Sequence, residues 1–144
     1  MKSIEEPVWA FIQDRLGFSD REMETFKAEP MNATLIRRGL ELQNKAIVFE
    51  FVEAHGCYSH KPGDRLVFDP LGNLVVDKCP QRVCHHAITA GAGHLFAAGE
   101  LLFHGIDPAN MRFKRFGCMD VGLQCGGWGH AVLELGVQDV SILT

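Results

Sequence analysis

The sequence has no excess of basic charge, no uninterrupted apolar run of bilayer length, no low-complexity linker, no internal repeat and no compact pair of cysteines. Each absence removes a class of function. A formal net charge of −4 over 144 residues leaves no basic face for phosphate contacts, which argues against a nucleic-acid binder. The one basic stretch, Arg112-Phe113-Lys114-Arg115-Phe116, alternates like a half-buried strand with its charges toward solvent. The longest apolar stretch, Ala87 to Ile106, approaches membrane length but contains His94, Glu100, His104 and four glycines. It therefore reads as a buried helix, and no membrane association is expected. Met1-Lys2-Ser3-Ile4-Glu5-Glu6 has two acidic residues and none of the apolar core of a secretory signal, so a cytoplasmic location is expected.

An even set of cysteines is also missing. Five is an odd number, and a reducing compartment keeps thiols free, so metal binding or catalysis is the natural alternative to a disulfide framework. The competing reading is five small buried hydrophobes.

With 47% hydrophobic and 22% charged residues, the composition is that of a globular domain, and the length suits one domain spanning 1–144. Residues 1–44 read as a helical N-terminal segment. Ser3-Ile4-Glu5-Glu6 has capping-box spacing, with Val8, Trp9, Ile12 and Leu16 at helical intervals before Gly17. Ser19-Asp20-Arg21-Glu22 is a second such box, opening a helix that ends before Pro30, and a third helix is expected over Ala33 to Gln43.

Residues 45–144 read as a cysteine-containing α+β core. Ile47, Phe49 and Phe51 recur with the period of a strand, and strands are expected at Leu66 to Phe68, Leu74 to Val76, Met111 to Cys118 and Ala131 to Val137. A long helix is expected from about Arg82 to Phe103. The predicted fold is thus α+β: a helical N-terminal third, then a small, mainly antiparallel sheet packed on one long buried helix.

The cysteines fall at the ends of these elements. Cys57 follows the first strand, Cys79 and Cys84 precede the long helix, and Cys118 and Cys125 follow a later strand. Three loops carrying thiols can converge at one end of a sheet, the usual way a thiolate site is assembled. Cys84-His85-His86 opens the long helix, where the helix dipole favours a thiolate. Along that helix His86 and His94 are about 12 Å apart, too far to share an ion. His94 and His104 read as core or cap histidines. His60 reads either as a partner of Cys57 at one ion or as an exposed turn residue. Gly126-Gly127-Trp128-Gly129-His130 reads as a hairpin connection or a cover over the site.

Gly56-Cys57 through Lys61-Pro62-Gly63-Asp64, Cys84 with Ala87 after it, Gly117-Cys118-Met119-Asp120, and His130-Ala131-Val132-Leu133-Glu134 together resemble a family of small uncharacterised cysteine-containing proteins of anaerobic prokaryotes, over about residues 45–137. The resemblance implies a shared site on Cys57, Cys84 and Cys118 with Asp120. This chain has Gly117 where many relatives have a second adjacent cysteine, and it adds Cys79 and Cys125, each a candidate fourth ligand.

The leading expectation is a protein binding an iron–sulfur cluster or zinc through Cys57, Cys84, Cys118 and one of Cys79 or Cys125, in anaerobic metabolism. The first alternative is a small enzyme with a Cys84 thiolate and His85 or His86 as acid–base partner, acting on a small-molecule ligand. The second is a metal-free binding or assembly subunit. A homo-oligomer, most simply a dimer, is expected because the long helix of small residues and the amphipathic N-terminal helices leave more apolar surface than one thin sheet covers.

Overall fold

The computed structural model describes residues 3–143. The chain forms two compact units, Met1–Glu41 and Leu42–Thr144, dividing just before Lys45, where the sequence changes from helical to alternating character.

The first unit has three helices: α1 Glu6–Leu16, α2 Asp20–Ala28 and α3 Pro30–Glu41. Gly17 closes α1 in the left-handed region at φ 68°, as its sequence position predicts. Ser19 and Glu22 form the expected reciprocal capping box on α2. The box expected at Ser3 to Glu6 does not form, because the helix starts later, with Glu5 as a cap that makes no side-chain hydrogen bond. Pro7 in the first turn supplies the start instead, with φ preset for a helix and no N–H to satisfy. Pro30 likewise opens α3 rather than preceding it. Trp9 and Phe18 both meet Phe26, with ring centroids 6.5 and 5.7 Å away.

The second unit is an antiparallel sheet with one long helix. Strands β1 Lys45–His55, β2 Arg65–Phe68, β3 Arg115–Gly117 and β4 His130–Asp139 run in the order β2-β1-β4-β3. The α+β class is as the sequence indicates. Ile47, Phe49 and Phe51 point to one face, joining Leu66, Phe68, Phe116, Leu133 and Leu135 in the main core. Ala46, Val48 and Val67 point to the other face and meet Leu143 in a smaller cluster. Beyond Phe51 the β1–β4 register shifts at a bulge, after which Ala54 is the residue packed against the main core while Glu53 and His55 are exposed. The bulge re-aims the end of β1, and with it the loop bearing Cys57.

Two predicted strands are shorter than expected. Leu74 makes a single bridge to Phe68 before the chain turns into a 3-10 helix at Val76–Lys78. In the 111–118 segment the strand is confined to Arg115–Gly117, with Lys114 and Cys118 each adding one backbone hydrogen bond to β4; the Phe113 carbonyl accepts from His94 Nε2 at 2.9 Å and the Phe113 ring is exposed.

Helix α4, His85–Phe103, lies against the main core through Ala87, Gly91, Ala98 and Leu102, spaced to share one face. It buries that face while Phe96 is exposed. Among the described residues no helix is long and apolar enough to cross a membrane. Gly91 sets the approach of α4 to the sheet: a Cβ there would lie 2.5 Å from Phe49 Cε2 and 2.8 Å from Phe116 Cζ. Gly91→Ala is therefore expected to destabilise by about 1–3 kcal/mol through overpacking, despite alanine's better helix propensity. The denaturant midpoint measures this; an unchanged or raised midpoint would contradict it.

A candidate thiolate site at one end of the sheet

The antiparallel pairing brings the end of β1, the end of β3 and the start of β4 to the same end of the sheet: His55 pairs with His130, and Gly117 with Val132. Cys57 follows β1, Cys118 follows β3, and Cys84 caps the N-terminus of α4. All three line one cavity of about 400 Å³, together with His86, Asp120 and His130. Tyr58 and Trp128 also line it and are 83% and 78% exposed, so they stand at its mouth.

Two of the thiol sulfurs are held by backbone donors. The His60 N–H donates to Cys57 Sγ at 3.4 Å, and the Ala131 N–H donates to Cys118 Sγ at 3.3 Å. The Cys84 side chain makes no cap hydrogen bond to its helix.

His60 is neither exposed nor free. Its side chain is 0% exposed and stacks on Phe51, with ring centroids 4.3 Å apart. The Cys84 N–H donates to His60 Nε2 at 3.1 Å, which places the ring proton on Nδ1, 3.3 Å from Asp64 Oδ2. Both ring nitrogens are thus in use, and the imidazole ties the Lys61–Asp64 turn to the start of α4. Sequence reasoning does not single out Asp64 for this; its spacing of four from His60 across a turn was the available signal.

Asp120 organises the opposite wall. Its carboxylate accepts N–H bonds from Gly122 at 3.0 Å, Trp128 at 3.1 Å and Gly129 at 3.2 Å. The N–H donors of Gly122 and Gly129 are the main reasons its carboxyl is held below the usual carboxylate range, with Trp128 and the nearby His86 adding to them against a smaller opposing effect of burial. The two walls meet through glycines. A Cβ on Gly56 would lie 2.8 Å from the Trp128 carbonyl oxygen, and one on Gly129 would overlap the backbone of His55 and Gly56. The Gly126 to His130 segment thus both connects the strands and borders the cavity.

The two remaining cysteines lie elsewhere. Cys79 packs with the smaller cluster on the other face of the sheet, its thiol 3.3 Å from the Val75 carbonyl and 3.3 Å from the Val67 N–H. Cys125 is exposed on a 3-10 turn, Leu123–Cys125, and does not line the cavity. His85 stands beside His86, ring centroids 4.5 Å apart, but only His86 lines the cavity. The half-exposed His94 and the exposed His104 bond backbone carbonyls of Phe113 and Glu100, His104 as the C-cap of α4. Among the described residues no group of three or more His, Cys, Asp and Glu side chains forms a ready-made ion cage.

Burial pushes the Cys79 thiol up, against the Val67 N–H, with Asp77 adding to the rise. A raised value means less thiolate at neutral pH. Cys79 is therefore expected to be alkylated more slowly than exposed Cys125 in the native, chelator-treated protein, the gap narrowing as pH rises. Mass mapping of the labelled peptides measures the order; Cys79 labelled as fast as Cys125 would contradict it.

Comparison with models of known protein families, with curated proteins and with solved structures finds no match in any of the three.

Proposed function

We propose that Cys57, Cys84 and Cys118 hold a thiolate-bound metal centre, an iron–sulfur cluster or a zinc ion, in the cavity behind Tyr58 and Trp128. The observation that carries this reading is the convergence of three thiols from three separate loops on one cavity of about 400 Å³. The donor set fits: thiolates select zinc and iron–sulfur clusters, and N–H bonds to the sulfurs, present here at Cys57 and Cys118, are a standard means of tuning such centres. All five cysteines are free thiols, which supports a reducing, cytoplasmic setting. The resemblance over residues 45–137 rests on the same three cysteines and favours the iron–sulfur form and a role in anaerobic metabolism.

The test is an anaerobic purification with counts of iron, zinc and acid-labile sulfide and an absorption spectrum. Cys57→Ser and Cys118→Ser should lose the centre, whereas Cys79→Ser and Cys125→Ser should keep it. Metal-free protein from iron- and zinc-replete cells, or a centre indifferent to Cys57 and Cys118, would sink the reading.

A second reading makes Cys84 a nucleophile with His86 as its acid–base partner. It is favoured by a thiol free of cap hydrogen bonds at the N-terminus of a 19-residue helix, with His86 lining the same cavity.

We also propose that the chain works as a homodimer through its first unit. Among that unit's described residues Met23 alone is fully buried, while Phe11, Leu16, Met31 and Leu40 are exposed. A unit of this size rarely completes a core unaided. Light scattering at micromolar concentration should give about twice the 16.0 kDa chain mass; a monomer would contradict it.

A further inference from the structure

We propose that Cys84 and Cys57 form a dithiol pair that exchanges with a small organic disulfide entering the cavity, Cys84 attacking first and Cys57 closing an intrachain disulfide. This rests on the reading of Cys84 as a nucleophile and deepens it by naming a substrate class and a resolving thiol. It needs no metal.

Three of the chain's free thiols line the cavity, and among the described residues no three His, Cys, Asp or Glu side chains are grouped to hold an ion. Thiol–disulfide exchange asks for less: one attacking thiol and a second within its reach. The three sulfurs differ in their surroundings. Cys118 Sγ is tied to β4, accepting from the Ala131 N–H at 3.3 Å, and lies 4.0 Å from the Asp120 carbonyl oxygen. Cys57 Sγ accepts the His60 N–H at 3.4 Å. Cys84 makes no side-chain cap bond, so its sulfur is the one left to turn toward an entering molecule.

His60 selects the resolving thiol. Its backbone N–H reaches Cys57 Sγ while its ring Nε2 accepts the Cys84 N–H at 3.1 Å, so one buried residue spans the two cysteines. The ring is itself fixed by Asp64 and by stacking on Phe51, which holds the two cysteine-bearing segments side by side, whereas Cys118 is anchored to β4. A volume of about 400 Å³ falls in the range of small-molecule pockets and admits a small disulfide. The Cys84 thiolate attacks one sulfur of R–S–S–R, forming a Cys84–S–S–R bond and expelling RS⁻. The Cys57 thiolate then attacks the Cys84 sulfur, forming the Cys57–Cys84 bond and expelling the second RS⁻. The protein dithiol is oxidised by two electrons and the substrate disulfide is reduced to two thiols. Two protons pass through solvent from the cysteines to the released thiols.

The test treats the reduced, chelator-stripped full chain with oxidised glutathione under argon, quenches in acid and maps the cysteines by mass spectrometry. Every sample carries Cys125→Ser, which removes the exposed thiol. The chain is expected to lose two cavity thiols and release two glutathiones, with Cys57 joined to Cys84 within one chain. Adding Cys57→Ser should stop the reaction at a stable mixed disulfide on Cys84, adding Cys84→Ser should abolish the intrachain bond, and adding Cys118→Ser should leave it intact. In denaturant the preference for the Cys57–Cys84 pair should be lost; the same preference there would show that the fold builds no such site and overturn the inference. A native chain that halts at the Cys84 mixed disulfide, or that closes its bond on Cys118, also overturns the inference and leaves the nucleophile reading standing. A Cys84 that glutathione never modifies overturns both. The metal reading is decided separately, by the metal count on protein as isolated.

Discussion

Cys84→Ala is expected to empty the centre and lower thermal stability in the same step. Loss of an outer-shell partner alone typically costs roughly 10- to 100-fold in metal affinity, and removing a ligand should cost more. Metal that binds only the native state stabilises it by about 2.7 kcal/mol at 100 times its Kd, and the variant forfeits that stabilisation. The nucleophile reading predicts a different pattern. There, Cys84→Ala leaves the unfolding temperature nearly unchanged and abolishes only a fast alkylation at neutral pH. Because bound metal shields a thiol, both measurements belong on anaerobic protein before and after chelation, with metal counted each time. Unchanged stability, no metal in the parent protein and slow labelling at Cys84 would defeat both readings.

What could be read from the sequence is what depends on neighbours along the chain. Gly17 and the Ser19–Glu22 box are legible because a cap is decided within four or five residues. The alternation of Ile47, Phe49 and Phe51 is legible because one buried sheet face imposes a period of two. The convergence of Cys57, Cys84 and Cys118 could be anticipated because each thiol follows or precedes an element whose end the pattern marks. The fate of Cys79 could not: the strand expected from Leu74 to Val76 is reduced to one bridge at Leu74, and the 3-10 turn Val76–Lys78 that follows leaves Cys79 on the far face beside Val67. Cys125 is separated from the cavity for a related reason, since Gly122 and Gly126, both at positive φ, bracket a short turn that leaves it exposed. The bulge beyond Phe51 is equally silent in the sequence, because nothing in Val52 or Glu53 marks the point where the register shifts.

His60 is the clearest case of a residue whose role is set at long range, and the variant His60→Leu should show it. Its ring bridges two groups distant in sequence, accepting the N–H of Cys84, 24 positions away, while facing the carboxylate of Asp64. Leucine approximates the volume and keeps contact with Phe51, so little transfer free energy is lost. It leaves the Cys84 N–H without its acceptor and removes one of two donors to Asp64 Oδ2, which keeps the Lys61 N–H at 3.2 Å. An unsatisfied buried group costs about 1–3 kcal/mol, and a loss of that size is expected, carried mainly by the Cys84 N–H. The cost falls at the start of α4, where the Cys84 backbone loses its anchor, so metal affinity should also drop by roughly 10- to 100-fold, as for other outer-shell partners. Glutamine offers an acceptor and a donor on one side chain, so His60→Gln should recover part of both losses if the hydrogen bonds are what matter. Equilibrium denaturation of the three proteins, with m compared to confirm the same transition, and a competitive metal titration measure the two effects. A His60→Leu protein that unfolds at the parent midpoint and binds metal equally well would show that the bridge from Asp64 to Cys84 positions nothing.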